Sequence, residues 1–205
     1  MKNIAGVILL LGCARFAVGQ EFSRFHIFGG YSYADRVQLP LAATSSTNGW
    51  EAAFKYNLTS RLGFVAAVDG RTGTDFRGTQ LADGTSIILA RQVSTYSFLF
   101  GPEVNVFHYR RVSVNLRELF GFIHADDTNG NVSVFSNNPV PSFVATREFV
   151  NNTFSMATGG NVDFHLKGGL AWRILQPEMQ LTRGNAQYQP NFRVATGLVY
   201  NFGRR

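Results

Sequence analysis

The twelve residues Asn191–Phe202 constrain the fold more than any other stretch. Phe192, Val194, Thr196, Leu198, Tyr200 and Phe202 take one set of alternate positions, and Arg193, Ala195, Gly197, Val199 and Asn201 take the other. A period of two belongs to a β-strand with a different environment on each face. One face here is large and apolar, and the other is small or polar. A soluble β-protein would turn the large face to its core. A membrane barrel would turn it to lipid and pack the small face into a narrow lumen.

The same alternation recurs upstream, in Arg24–Ala34, Asn48–Asn57, Arg61–Gly70, Arg91–Val106, Val112–Ala125, Phe154–His165 and Leu170–Leu181. Asp35–Thr47, Arg71–Ala90 and Asp126–Asn151 read as long loops, rich in Ser, Thr, Asn, Pro and Gly. Between them fall short links at Asn57–Ser60, Phe107–Arg111 and Lys167–Gly169, and a medium loop at Thr182–Pro190. Long connections alternating with short ones, over strands near the 9–11 residues a tilted crossing needs, predict an all-β fold. The predicted architecture is an eight-stranded antiparallel up-and-down transmembrane β-barrel, with short turns in the periplasm. Closure also removes the edges that such apolar strands would otherwise expose.

Three places strain this pattern. Pro102 cannot donate to a ladder. Glu118 shares the greasy face of Val112, Val114, Leu116, Phe120 and Phe122, so a bulge or a different register is expected there. In the seventh segment Arg173 falls with Leu175, Pro177, Met179 and Leu181, opposite Trp172, Ile174, Gln176, Glu178 and Gln180.

The chain begins with Lys2, an apolar run Ile4–Leu11 and small residues Ala17-Val18-Gly19, the pattern of a secretory signal peptide spanning residues 1–19. That run is too short to cross a bilayer as a helix. Leu10-Leu11-Gly12-Cys13 offers an alternative, a lipoprotein-like box with lipidation at Cys13. Cleavage after Gly19 leaves residues 20–205 as one barrel domain without cysteine, and hence without a disulfide framework. The basic excess, 19 Lys and Arg against 13 Asp and Glu, is scattered rather than clustered. With export, this argues against nucleic acid as a partner. Charged residues at 16%, beside 19 Phe and 21 Gly, suit a β-protein with a non-aqueous exterior, embedded in outer membrane lipids. Tyr31, Tyr33, Trp50, Tyr56, Phe122, Tyr200 and Phe202 lie near strand ends, where interfacial aromatic girdles form.

The predicted inward face carries Glu51, Lys55, Asp69, Glu103, Arg117, Asp163, Glu178 and Arg193. Eight strands leave an interior just wide enough for side chains, so these are expected to form a polar network that fills the lumen. The competing possibility is a polar pore. His26, His108, His124 and His165 show no metal-ligand spacing on one face. His165 with Ser155, or His26 with Ser32, would be needed side by side for a lipid-modifying enzyme, and neither sits in a motif. No catalytic site, cofactor or metal is expected. His124-Ala125-Asp126-Asp127, at an expected loop mouth, is read as a solvated acidic turn, with a cation site as the alternative.

Three tail segments, Phe154–Asp163, Ala171–Glu178 and Asn191–Phe202, together with Leu99-Phe100-Gly101-Pro102, resemble small eight-stranded outer membrane β-barrels of the OmpA-like domain family, in an acidobacterial form. The resemblance implies the cell outer membrane of a Gram-negative bacterium as location and the barrel assembly machinery as a partner. Such chains often finish on an aromatic residue, whereas Gly203-Arg204-Arg205 follow Phe202 here. No peptidoglycan-binding domain is expected after the barrel. The expected role is structural or surface-interacting, with an extracellular ligand that no loop motif identifies. The alternatives are a narrow porin-like channel or carrier for small solutes, and a secreted lipocalin-like binding barrel.

Overall fold

The computed structural model describes residues 23–38, 44–80, 86–135, 147–184 and 187–204. The expected signal peptide, residues 1–19 with Cys13, lies outside them. The described residues form eight strands. These are β1 (Ser23–Gln38), β2 (Thr44–Asn57), β3 (Leu62–Gln80), β4 (Ser86–Tyr109), β5 (Val112–Phe135), β6 (Arg147–His165), β7 (Leu170–Gly184) and β8 (Gln187–Arg204). Each pairs antiparallel with its sequence neighbour, and β8 pairs back with β1 to close the barrel.

The closure is staggered. Following partners once around from Phe25 leads through Tyr56, Phe64 and Pro102 to Glu118, which lies across from Pro102. The path continues through Thr158, Met179 and Phe192 and returns to β1 at Asp35, ten residues further on. Such a shear is what tilts barrel strands by about 35–45° to the axis. At the closing seam Gly30 faces Gly197. A Cβ on Gly30 would lie 2.2 Å from the carbonyl oxygen of Thr196 and 2.8 Å from the Phe28 ring, so the absence of a side chain there makes room for that ring.

The strands run further than alternation predicts. The expected loops Asp35–Thr47, Arg71–Ala90 and Asp126–Asn151 are largely paired backbone: β1 reaches Gln38, β3 and β4 meet at Gln80↔Ser86, and β5 runs to Phe135. Ile87, Ile88 and Leu89 extend β4, as anticipated.

The short links are tight. In the first, the Leu58 and Thr59 amides donate to Leu62 O at 2.9 and 3.0 Å, and Thr59 Oγ1 accepts from the Leu62 amide at 2.9 Å. Arg110 takes φ 50° between β4 and β5. Gly168 and Gly169 take φ 72° and 84° between β6 and β7, a region in which glycine avoids the Cβ clash.

Pro102 is accommodated without a change of register. The β4–β5 ladder is interrupted between Phe100↔Phe120 and Glu103↔Arg117, where proline has no N–H to give, and resumes in step. Glu118 departs from expectation. The β5–β6 pairing is continuous through Leu116↔Gly160, Glu118↔Thr158 and Phe120↔Met156, so neither a bulge nor a register shift re-aims the carboxylate. It stays on the outer face. In β7 the register shifts between Arg173 and Gln176. The extra residue leaves Ile174 and Leu175 both exposed and puts Arg173, Gln176, Glu178 and Gln180 all inside, with Trp172 outside. The expected placement of Arg173 with Leu175 and Met179 is therefore wrong, because a bulge inverts the alternation partway along the strand.

Candidate functional site

The barrel is inside-out relative to a soluble protein. Trp50, Phe98 and Leu198 are 49%, 45% and 58% exposed, whereas Arg193 is 0% and Glu51 1%. The outer rows join into aromatic bands. Tyr31, Trp50 and Tyr96 lie near the long-connection end, and Phe25, Tyr56, Tyr200 and Phe202 cluster at the short-turn end. An apolar belt flanked by two aromatic bands matches a bilayer core and its interfaces. The candidate site is therefore the interior.

Arg193, on β8, is the hub. Its Nε donates to Glu178 Oε2 at 2.8 Å and its Nη1 to Asp69 Oδ2 at 2.5 Å, and Nη2 also reaches Glu178. Arg117, on β5, donates Nη2 to Glu51 Oε1 at 2.8 Å and Nε to Glu178. Five strands thus meet through two guanidinium groups and three carboxylates. Charge-assisted, multidentate contacts of this kind offset the cost of removing the ions from water.

Smaller groups complete the centre. Gln176 Nε2 donates to both oxygens of Glu51 at 2.8 and 2.9 Å, Ser97 donates to Asp69, and Gln180 Nε2 donates to Ser155 Oγ at 2.9 Å. Arg71 donates Nε to Asp69 at 2.8 Å and Nη2 to Gln180 Oε1 at 3.0 Å. Toward the short-turn end, Lys55 Nζ donates to Glu103 Oε1 at 2.7 Å, and Asn161 donates to Glu103 Oε2 at 3.1 Å. Arg173 grips both oxygens of Asp163, at 2.8 and 3.1 Å, and its guanidinium carbon sits 4.5 Å from the centre of the Phe28 ring.

All eight residues singled out from sequence, Glu51, Lys55, Asp69, Glu103, Arg117, Asp163, Glu178 and Arg193, point inward and are buried. Five of them share the central cluster, Lys55 and Glu103 form a separate pair, and Asp163 pairs with Arg173. Sequence reasoning missed Arg71 and Arg173. Arg71 follows directly on the alternation of β3, in phase with Asp69, and that phase was the available signal. Arg173 was hidden by the bulge.

The interior is apolar where it is not ionic. Phe28, Val65, Leu99, Leu119 and Val199 pack with four alanines and Ala53 below and between the charges, and Ala34, Val93 and Ala125 pack above them. A cleft of about 10 Å³ lined by His26, Phe28, Lys55, Glu103, Arg117 and Arg173 has room for about one water.

The histidines are dispersed among polar partners. His26 lies 2.8 Å from Asn57 Nδ2 and His124 2.6 Å from Asn152 Oδ1. His165 contacts Ser113 Oγ at 2.9 Å, not Ser155, and its ring lies 5.6 Å from that of His108. Asp163, two residues before His165, has both oxygens bonded by Arg173. Among the described residues no group of three or more His, Cys, Asp or Glu side chains is placed to hold a metal.

A closed eight-stranded barrel with an apolar belt and a polar interior is the architecture of small outer membrane proteins. Outer membrane proteins are among the solved structures similar to it. OprG from Pseudomonas aeruginosa aligns with TM-score 0.50 at 10% identity, over 90% of this chain and 98% of that one. Ail from Yersinia pestis, solved with the heparin analogue sucrose octasulfate, gives TM-score 0.49 at 14% identity, over 89% and 100%. Neisserial surface protein A gives 0.49 at 11% identity, over 89% and 100%. At such identities the likeness to OprG is one of fold. No family model and no curated protein matches the sequence.

Proposed function

We propose that the protein is an integral outer membrane barrel, matured by removal of residues 1–19, with a structural and surface-interaction role rather than a conducting one. The interior carries this reading. Five cationic side chains, Lys55, Arg71, Arg117, Arg173 and Arg193, are matched by five acidic ones, Glu51, Asp69, Glu103, Asp163 and Glu178. A permeant ion needs groups that coordinate it weakly and release it. Here the carboxylates and guanidinium groups are already engaged with one another across the lumen, so passage would require breaking several buried ion pairs at once. The polar network is thus read as a plug that ties the strands together, and the Ser113–His165 contact as structural rather than catalytic.

The surface role draws on the long-connection end. The β2–β3 pairing stops at Asn48↔Thr72, while β3–β4 continues to Gln80↔Ser86, β4–β5 to Ser86↔Phe135 and β5–β6 to Asn129↔Arg147. Four strands therefore rise beyond the belt as a raised sheet. The β3 stretch Gly73–Gln80 has no described strand on its β2 side. Such an edge suits contact with an extended segment of another molecule. The barrel assembly machinery would act on β8, whose aromatic row Phe192 to Phe202 faces outward.

Reconstitution into a planar bilayer tests the reading. A barrel that migrates faster on a detergent gel before heating than after, yet passes no steady unitary current, is expected. Regular single-channel steps from the wild-type chain would favour the porin-like alternative. Solubility without detergent would favour a lipocalin-like one.

A further inference from the structure

Among the described residues the lipid-facing belt carries one acidic side chain at mid-height. Glu118 is central among the outward residues of β5, six positions from Val112 at the short turn and six from His124, which pairs with Tyr96 of the upper aromatic band. Its strand neighbours are Pro102 on β4 and Thr158 on β6, each likewise midway between the aromatic bands on its own strand. Thr158 Oγ1 lies 2.7 Å from both carboxylate oxygens of Glu118. A threonine hydroxyl has one proton, whereas a carboxyl group offers about four acceptor sites. Thr158 therefore leaves most of that capacity facing a medium with no donors. Ionisable groups at the centre of a bilayer are costly, and where they occur they generally meet a partner.

We infer that the Pro102–Glu118–Thr158 face is the contact through which two copies of this chain associate within the membrane. Copies inserted in the same sense are related by a two-fold axis along the membrane normal. Such an axis brings each depth of one copy against the same depth of the other. A second copy thus necessarily presents its own Glu118 and Thr158 at this level. Each Thr158 hydroxyl stays on its own copy's carboxyl, and a proton shared between the two Glu118 carboxyl groups joins the copies and relieves their repulsion. Pro102 and Thr158, on either side of Glu118, are small beside the aromatic residues of the belt, and small groups let membrane segments approach closely. Elsewhere the described belt is dominated by Phe, Tyr, Leu and Trp side chains, which lipid satisfies fully.

This inference rests on the membrane reading, and cysteine cross-linking in isolated outer membranes separates the two. In a Cys13→Ala background, Leu116→Cys and Phe120→Cys flank Glu118 on the proposed contact, and Phe54→Cys on β2 serves as the distant control. Oxidation is expected to yield covalent dimers from the two β5 variants and few from Phe54→Cys. Adding Glu118→Leu to Leu116→Cys should lower the dimer yield at least about threefold, from the loss of a membrane hydrogen bond, whereas Glu118→Gln, which still donates and accepts, should retain it. A chain absent from the membrane fraction would overturn the membrane reading itself. A heat-modifiable barrel in that fraction whose β5 variants cross-link no better than Phe54→Cys, or whose dimers survive Glu118→Leu, would overturn the pairing alone. Adducts of a mass other than twice the chain would assign the face to a different protein and overturn the second copy as occupant.

Discussion

The two faces of the same strands obey opposite rules. On β8, Phe192, Leu198 and Tyr200 point out and make few specific contacts, while Arg193, one position from Phe192, touches three carboxylates on three other strands. The outer face needs only to be apolar and of suitable height, because lipid chains adapt to whatever shape they meet. The inner face is a closed set of partners, in which each charged group is tolerable because of a named neighbour. Substitutions should therefore be forgiving outside as long as they stay apolar, and unforgiving inside even when they reduce polarity.

The largest effect follows from removing the hub. Arg193→Ala would leave Glu178 with Arg117 alone and Asp69 with Arg71 alone, so that one buried negative charge is unmatched, a loss of about 3–5 kcal/mol for breaking a buried pair. Urea titration of the reconstituted barrel, read by the heat-dependent gel shift, measures it. Arg117→Ala should fall in the same range, and both variants should lose stability without opening a large steady conductance. A stable Arg193→Ala barrel with a new unitary current would mean the network gates a channel instead of knitting the wall. The mirror experiment on the outer face is Leu198→Arg. A cation placed on the lipid-facing belt costs about 2–4 kcal/mol near the bilayer midplane. Leu198→Ile should change stability by under about 1.5 kcal/mol, since it keeps the volume and the apolar character. A barrel indifferent to Leu198→Arg would break the inside-out assignment.

The same contrast explains what was legible in the sequence. Alternation of the β8 kind records lipid on one side and a narrow lumen on the other, so strand order, facing and closure could be read from Phe192–Phe202 and its counterparts. Along Gly73–Gln80, which pairs with β4 beyond the last β2 partner, the residues do not alternate in polarity, so the strand ends could not be placed from the sequence. The β7 bulge adds one residue at Ile174 and Leu175 and so reverses every facing assignment on one side of it, which is why Arg173 was put outside. Membership of the polar network was readable strand by strand, from phase alone. Its pairings were not. Gln176 meets Glu51 across 125 residues of sequence, and Arg117 meets Glu51 across 66, so their contacts depend on the stagger accumulated around the whole barrel. Glu118 marks the remaining case, in which a local rule is broken on the outer face while the register around it is intact.

The smallest expected effects lie where neither lipid nor lumen applies, in the β6–β7 turn, and there the two glycines differ in an instructive way. A Cβ on Gly168 meets no atom within 4 Å, so Gly168→Ala isolates the backbone cost of holding φ 72° with a side chain, about 1–2 kcal/mol. Gly168→Asn should cost less, because asparagine tolerates the left-handed region. At Gly169 a Cβ would also lie 2.6 Å from the carbonyl oxygen of Asn201, whose amide donates to Gly169 O at 2.7 Å. Gly169→Ala therefore has to strain the backbone and push the β6–β7 turn away from β8, and should destabilise more than Gly168→Ala in the same urea titration. Equal losses at the two positions would show that the turn relaxes away from β8. In that case the register of the barrel is held by the buried ion pairs, not by its turns.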